Sequence, residues 1–129
     1  MEPRDALILV ADDFKDTRDM FAQFLTRAGF RVAHASDGLE ALAQASELRP
    51  DLIILDLSMP GPDGAEVARR LKANKQTERI PILLLTAYNL EHLPRMIREA
   101  GFAGFLMKPC LPDDLIGEVV RALHESVPG

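Results

Sequence analysis

Ala6-Leu7-Ile8-Leu9-Val10-Ala11-Asp12-Asp13 is the stretch that decides how this chain folds. An apolar run that ends abruptly in two carboxylates reads as a strand of a parallel sheet covered on both faces, because neither side of such a strand meets water. The same pattern returns in Leu52-Ile53-Ile54-Leu55 before Asp56, in Ile82-Leu83-Leu84-Leu85 before Thr86, and in Phe105-Leu106-Met107 before Lys108. In a parallel sheet the carboxyl ends of all strands lie along one edge, where open α/β sheets bind their ligands. Asp12, Asp13, Asp56, Thr86 and Lys108 are therefore expected to converge on one small site, and carboxylates gathered so closely need a cation.

Between these runs the sequence reads as helix. Met20, Phe21, Phe24, Leu25 and Ala28 share one helical face, predicting a first helix from about Asp16 to Ala28, with Gly29 as a left-handed stop. A second strand, roughly Arg31 to Ala35, precedes Asp37-Gly38-Leu39-Glu40, where Asp37 can cap the amide three residues on and Glu40 can reach back. Leu39, Leu42, Ala45 and Leu48 form the expected inward stripe of the second helix, which ends near Pro50. Asp63 and Glu66 repeat the capping pattern ahead of Val67 and Leu71, and Lys72 to Arg79 reads as a polar surface connection. Pro94 favours a short fourth helix, about Leu93 to Ala100, since proline is tolerated mainly in a first turn. Pro112 opens a fifth helix whose Leu115, Ile116, Val119, Val120 and Leu123 face inward. Strands joined by right-handed helical crossovers give an α/β three-layer sandwich: a five-stranded parallel sheet of order 2-1-3-4-5 with five helices, one domain over residues 1–129.

Composition narrows the function. A chain of 129 residues with 47% hydrophobic content can bury one core. A formal charge of -5 and a pI near 5.1 give no basic footprint for nucleic acid or an anionic membrane, so direct binding to either is not expected. The single cysteine, Cys110, cannot form an internal disulfide, and no segment reads as a membrane span or signal peptide, so the cytoplasm is the expected compartment.

The chemistry follows from charge. Asp12, Asp13 and Asp56 would repel one another unless a hard cation sat among them, and Mg²⁺ suits them because it takes oxygen ligands and is commonly completed by carboxylates and a phosphate. Lys108 supplies a compact positive charge that can pair with Asp56 or with an incoming phosphoryl oxygen, and Thr86 can donate one hydrogen bond. A carboxylate facing Mg²⁺, an ammonium and a hydroxyl is arranged to attack phosphorus, giving an aspartyl phosphate.

With these residues in hand, the chain resembles the receiver domains of two-component response regulators from Leu7 to about Leu123. The matching pieces are Leu9-Val10-Ala11-Asp12-Asp13, Asp56 through Gly64, Leu85-Thr86-Ala87 and Gly104 through Pro109. The resemblance implies the flavodoxin-like fold, with Asp56 as phosphoacceptor. It implies Mg²⁺ bound by Asp12, Asp13 and Asp56, Asp13 being a direct ligand, and by the Ser58 carbonyl. Thr86 and Lys108 would hold the phosphoryl group, and Phe105 would partner Thr86 in an activation switch. Ser58 and Tyr88 would flank the path of hydrolytic water and tune the phosphoryl lifetime, and Lys108-Pro109 would be cis. The implied partners are a histidine kinase or histidine phosphotransfer protein upstream, and downstream a protein effector met through the fourth helix, fifth strand and fifth helix. The sequence carries no separate effector segment, so output is expected through protein contact or a domain beyond it. Two departures stand out: Pro62 occupies a position where the family often has a flexible apolar residue, and Pro94 shortens the helix that carries part of the switching face.

Other readings fit less well. A haloacid-dehalogenase-type phosphohydrolase also forms an aspartyl phosphate, but it needs a second Asp two residues past the nucleophile, where this chain has Ser58. A dinucleotide-binding domain needs a glycine-rich turn after the first strand, and Asp12-Asp13-Phe14-Lys15-Asp16 would repel a phosphate that lacked a metal. The expected function is a phosphorylation-controlled switch with slow self-dephosphorylation, not primarily an enzyme. Cys110 reads as an inert thiol, and His34, His92 and His124 lack ligand-like spacing.

Overall fold

β1 (Leu7–Ala11), β2 (Arg31–Ala35), β3 (Leu52–Asp56), β4 (Ile82–Thr86) and β5 (Gly104–Met107) form one sheet in the order β2-β1-β3-β4-β5. Every pairing is parallel. The computed structural model describes residues 5–57, 59, 61–87 and 101–126. The helices described are α1 (Lys15–Arg27), α2 (Gly38–Leu48), α3 (Gly64–Ala73) and a C-terminal helix α4 (Pro112–Ser126), which the sequence reading counts as its fifth. The short helix expected around 93–100 lies outside the described residues, so four helices stand beside the five expected.

Alternation along the strands divides the core in two. Ile8, Val10, Leu52, Ile54, Leu83, Leu85 and Leu106 pack with Phe21 and Leu25 of α1 and Leu115 and Val119 of α4. Leu9, Ala11, Ile53, Leu55 and Ile82 pack instead with Ala41 and Ala45 of α2 and Val67 and Leu71 of α3. β3 and β4 are buried along their whole lengths, the environment that their unbroken apolar runs require.

The helix boundaries follow their caps. Asp37 accepts from the Glu40 amide at 2.8 Å and Asp63 from the Glu66 amide at 3.0 Å. The reciprocal half of each capping box is not made. Glu40 accepts instead from the Ser36 hydroxyl at 2.9 Å, and Glu66 is held by Arg69 and Arg70, which bring its pKa down to about 2.

Two predicted stripes need rotation. In α2, Leu39 is 64% exposed and Leu48 43%, while Gly38, Ala41 and Ala45 turn inward. A Cβ on Gly38 would lie 2.2 Å from the Pro62 carbonyl oxygen, so the helix start is pressed against the β3–α3 loop, and small residues face α3. In α4, Ala122 is buried and Val120 is on the surface. The Lys72–Arg79 connection also differs, since α3 runs on to Ala73 and Thr77 is buried, its hydroxyl donating to the Leu71 carbonyl at 2.7 Å. Arg49 ends α2 in the left-handed conformation (φ 46°), a role usually given to glycine.

Candidate functional site

The shared register brings four strand ends together. Asp12 follows β1 directly, and its amide donates to the Ala35 carbonyl at 3.1 Å, prolonging the β1–β2 ladder by one residue. Asp56 is the last residue of β3, opposite Leu85, and Thr86 is the last of β4. The Lys108 amide, one residue past β5, donates to the Thr86 carbonyl at 2.8 Å. The Lys108-Pro109 bond is cis, as the resemblance implies.

Asp12, Asp56 and Thr86 are buried and Asp13 is exposed. One carboxylate oxygen from each of Asp12, Asp13 and Asp56 lies within 4.8 Å of the others. The Lys108 ammonium sits 2.8 Å from Asp12 Oδ2 and 3.6 Å from Asp56 Oδ2. Burial alone would depress the Lys108 pKa and is the largest single influence on it. The adjacent Asp12, with Asp56 and Asp13 behind it, more than offsets this and leaves the pKa raised. Asp12 Oδ1 accepts from the Phe14 amide at 2.9 Å. Asp12 Oδ2 is buried without a well-directed hydrogen bond, so its contact with Lys108 is an ion pair only.

A buried carboxylate oxygen lacking a hydrogen bond, beside two further carboxylates, is the environment a hard cation completes. The donor set is all oxygen, and its charge matches Mg²⁺. A group attacking from Asp56 would meet Lys108 on the same side of the sheet edge, so the arrangement suits transfer of a phosphoryl group to a carboxylate.

Comparison with known proteins supplies the context. Residues 8–120 match the response regulator receiver domain. The chain belongs to that family. This receiver domain is 37% identical over 122 residues to the phosphate regulon transcriptional regulatory protein PhoB of Pseudomonas aeruginosa, a match covering 95% of this chain and 53% of PhoB. The chain thus spans about half the length of the curated relatives it matches. Chemotaxis protein CheY4 of Vibrio cholerae superposes with a TM-score of 0.86 at 35% identity, covering 92% of this chain and 98% of that one. The receiver domain of a sensor histidine kinase from Pseudomonas aeruginosa PAO1 has a magnesium ion coordinated in its active site cleft. It superposes with a TM-score of 0.85 at 28% identity over 93% of this chain and 98% of its own. Receiver domains are phosphorylation-controlled switches of two-component systems that bind Mg²⁺ at an acidic pocket, and this one has the Asp cluster.

Of the residues singled out from sequence, Asp12, Asp13, Asp56 and Lys108 come together, and Thr86 stands at the same edge, bonded through its carbonyl to Lys108. Phe105 pairs with Leu84 and packs on it, half-buried. Ser58 and Tyr88 lie outside the described residues. Sequence reasoning missed Arg18, whose guanidinium donates to the Asp12 carbonyl at 2.7 Å. It also missed the reason for Gly64, where a Cβ would lie 2.6 Å from the Asp56 carbonyl oxygen. The clue to Gly64 was present, since it stands directly after the capping Asp63, but only packing shows what a side chain there would strike. No helix among the described residues is long and apolar enough to cross a membrane.

Proposed function

We propose that Asp56 accepts a phosphoryl group from a histidine kinase or histidine phosphotransfer protein. The observation that carries this reading is the gathering of the Asp12, Asp13 and Asp56 carboxylates within 4.8 Å, with the Lys108 ammonium 2.8 Å from Asp12 and 3.6 Å from Asp56. Asp12, Asp13, Asp56 and the Ser58 carbonyl would hold Mg²⁺. When bound, the ion neutralises the carboxylates and the oxygens of the incoming group. An Asp56 oxygen attacks phosphorus as the phosphorus–nitrogen bond of the donor phosphohistidine breaks, and the electron pair leaves on the imidazole nitrogen. Lys108 and the Thr86 hydroxyl steady the equatorial oxygens, whose charge is spread in the transition state. Ser58 and Tyr88 limit the approach of hydrolytic water and so set the lifetime.

The domain acts as a switch and not as a turnover enzyme, in the cytoplasm and without itself touching nucleic acid or membrane. Its effector is a protein met through β5, α4 and the 93–100 segment. A cavity of about 440 Å³ between β5 and α4, lined by Phe105, Met107, Cys110, Asp113, Asp114 and Glu118, supports that assignment. Cys110 there is buried, and burial raises its pKa, with Asp114 and Glu118 adding to the effect, so the thiol serves as packing.

The test is phosphorylation by a small acyl phosphate or a kinase, read by intact mass. Incorporation is expected in Mg²⁺, not in chelator, and not in Asp56→Asn. Incorporation by Asp56→Asn at the wild-type rate overturns the assignment.

A further inference from the structure

We infer that Arg18 is a positioning residue for Asp13, acting through the backbone of the acidic loop. The inference rests on the proposed Mg²⁺ site. Asp13 is exposed, and among the described residues no hydrogen bond or ion pair of its own side chain orients it. Its direction is therefore set by the main chain. The Asp12 carbonyl and the Asp13 amide belong to one planar peptide, so whatever fixes that carbonyl fixes the direction in which Asp13 departs. Arg18 Nη1 donates to this carbonyl at 2.7 Å from the second turn of α1.

The rest of the loop is tied down from elsewhere. The Asp12 amide is held by Ala35 and Asp12 Oδ1 by the Phe14 amide. At the start of α1 the N-cap residue, Phe14, makes no side-chain cap, and the Arg18 amide donates back to the Phe14 carbonyl at 3.1 Å. Arg18 thus joins the helix to the loop twice, once through its backbone and once through its guanidinium.

Charge and position make opposite demands here, which lets them be told apart. Arg18 is a cation close to a cation-binding loop, so on Coulomb's law alone its removal should tighten Mg²⁺ binding. If its task is to hold the Asp12-Asp13 peptide, its removal should weaken binding although a repelling charge has gone.

The experiment is a MgCl₂ titration of the metal-free protein, followed by amide chemical shifts, for wild type, Arg18→Met, Arg18→Lys, Asp13→Asn and the double variant Arg18→Met/Asp13→Asn. Arg18→Met should weaken Mg²⁺ binding about three- to tenfold, the scale of one ordinary net hydrogen bond, because the bond holds the loop and not the ion itself. Arg18→Lys, which keeps a charged donor on a shorter reach, should lose less than Arg18→Met. In the Asp13→Asn background the Arg18→Met effect should largely vanish, because the two residues act in series. Unchanged or tighter binding by Arg18→Met overturns the inference, as does an undiminished effect in the double variant. If Arg18→Met fails to fold, Arg18→Ala carries the test, and unchanged or tighter binding in that variant overturns the inference. Wild type that binds no Mg²⁺ overturns the proposed metal site together with this inference. Loss in Asp13→Asn with none in Arg18→Met overturns the inference alone.

Discussion

Lys108 stands between two aspartates and serves them unequally, 2.8 Å from Asp12 and 3.6 Å from Asp56. Asp12 is wholly buried, so in metal-free protein Lys108 is the counter-charge beside its Oδ2. Removing one partner of a fully buried pair costs about 3–5 kcal/mol. The Lys108 side chain is 24% exposed, so we expect Lys108→Met to cost the metal-free protein less, about 1–3 kcal/mol. Mg²⁺ should then raise the melting temperature of Lys108→Met more than that of wild type, because the ion replaces a charge the variant lacks. Equal gains in paired melts with chelator and with Mg²⁺ would count against this role. The pH dependence has a definite sign. Because the folded pKa of Lys108 is raised, its contribution is complete below the unfolded-state value of 10.5 and fades as pH climbs through the higher folded value. The stability gap between wild type and Lys108→Met in chelator should accordingly narrow above about pH 10.5. Lys108 could be placed at the site from sequence because it directly follows an apolar run. That it would favour Asp12 over Asp56 could not, since side-chain reach across strand ends depends on the twist and stagger of the finished sheet.

At the level of elements, two glycines at helical positions give contrasting expectations. Gly64 opens α3, donates its amide to the Leu57 carbonyl at 3.1 Å, and leaves no room for a Cβ beside the Asp56 and Leu57 backbone. Gly64→Ala should therefore destabilise the domain by about 1–3 kcal/mol, the usual cost of overpacking, and slow phosphoryl uptake by displacing the segment after Asp56. Gly117, inside α4, has nothing within 4 Å of where a Cβ would stand. Gly117→Ala should stabilise the domain by about 0.5–1 kcal/mol through helix propensity alone. Denaturant melts of the two variants check both, and a destabilised Gly117→Ala would show that the open space is needed. The elements also show where sequence reading stops. Strand limits and caps were legible because apolar runs and Asp at N-caps are local signals. The inward faces of α2 and α4 were not, because Leu39 and Val120 lie next to residues that do turn inward, and neighbours across the layer decide the rotation. For α2 that neighbour is Pro62, pressed on Gly38.

Over the whole molecule, switching requires that the site communicate with a face on which partners can dock. Thr86 ends β4, and Phe105 rests on Leu84 two residues upstream, so the residue at the sheet edge and the ring on the β5 side share one strip of sheet. A ligand that draws Thr86 toward Asp56 can alter the packing open to Phe105, and two such packings would shift in population. Beryllofluoride bound at Asp56 should move the amide resonances of Ala87, Arg95, Arg98 and Phe105, and Thr86→Ala should blunt those movements while leaving phosphorylation possible. Changes confined to the loops around Asp13, Asp56 and Lys108 would mean that partners read the phosphorylated pocket itself. Distributing the site over the ends of β1, β3, β4 and β5 has a consequence for the newborn protein. During synthesis the chain delivers Asp12 and Asp13 early and Lys108 late, so the acidic cluster receives its counter-charge only after the fifth strand has left the ribosome. On the proposed reading, an incomplete chain presents its carboxylates without Lys108, and phosphoryl uptake is expected only once β5 is in place.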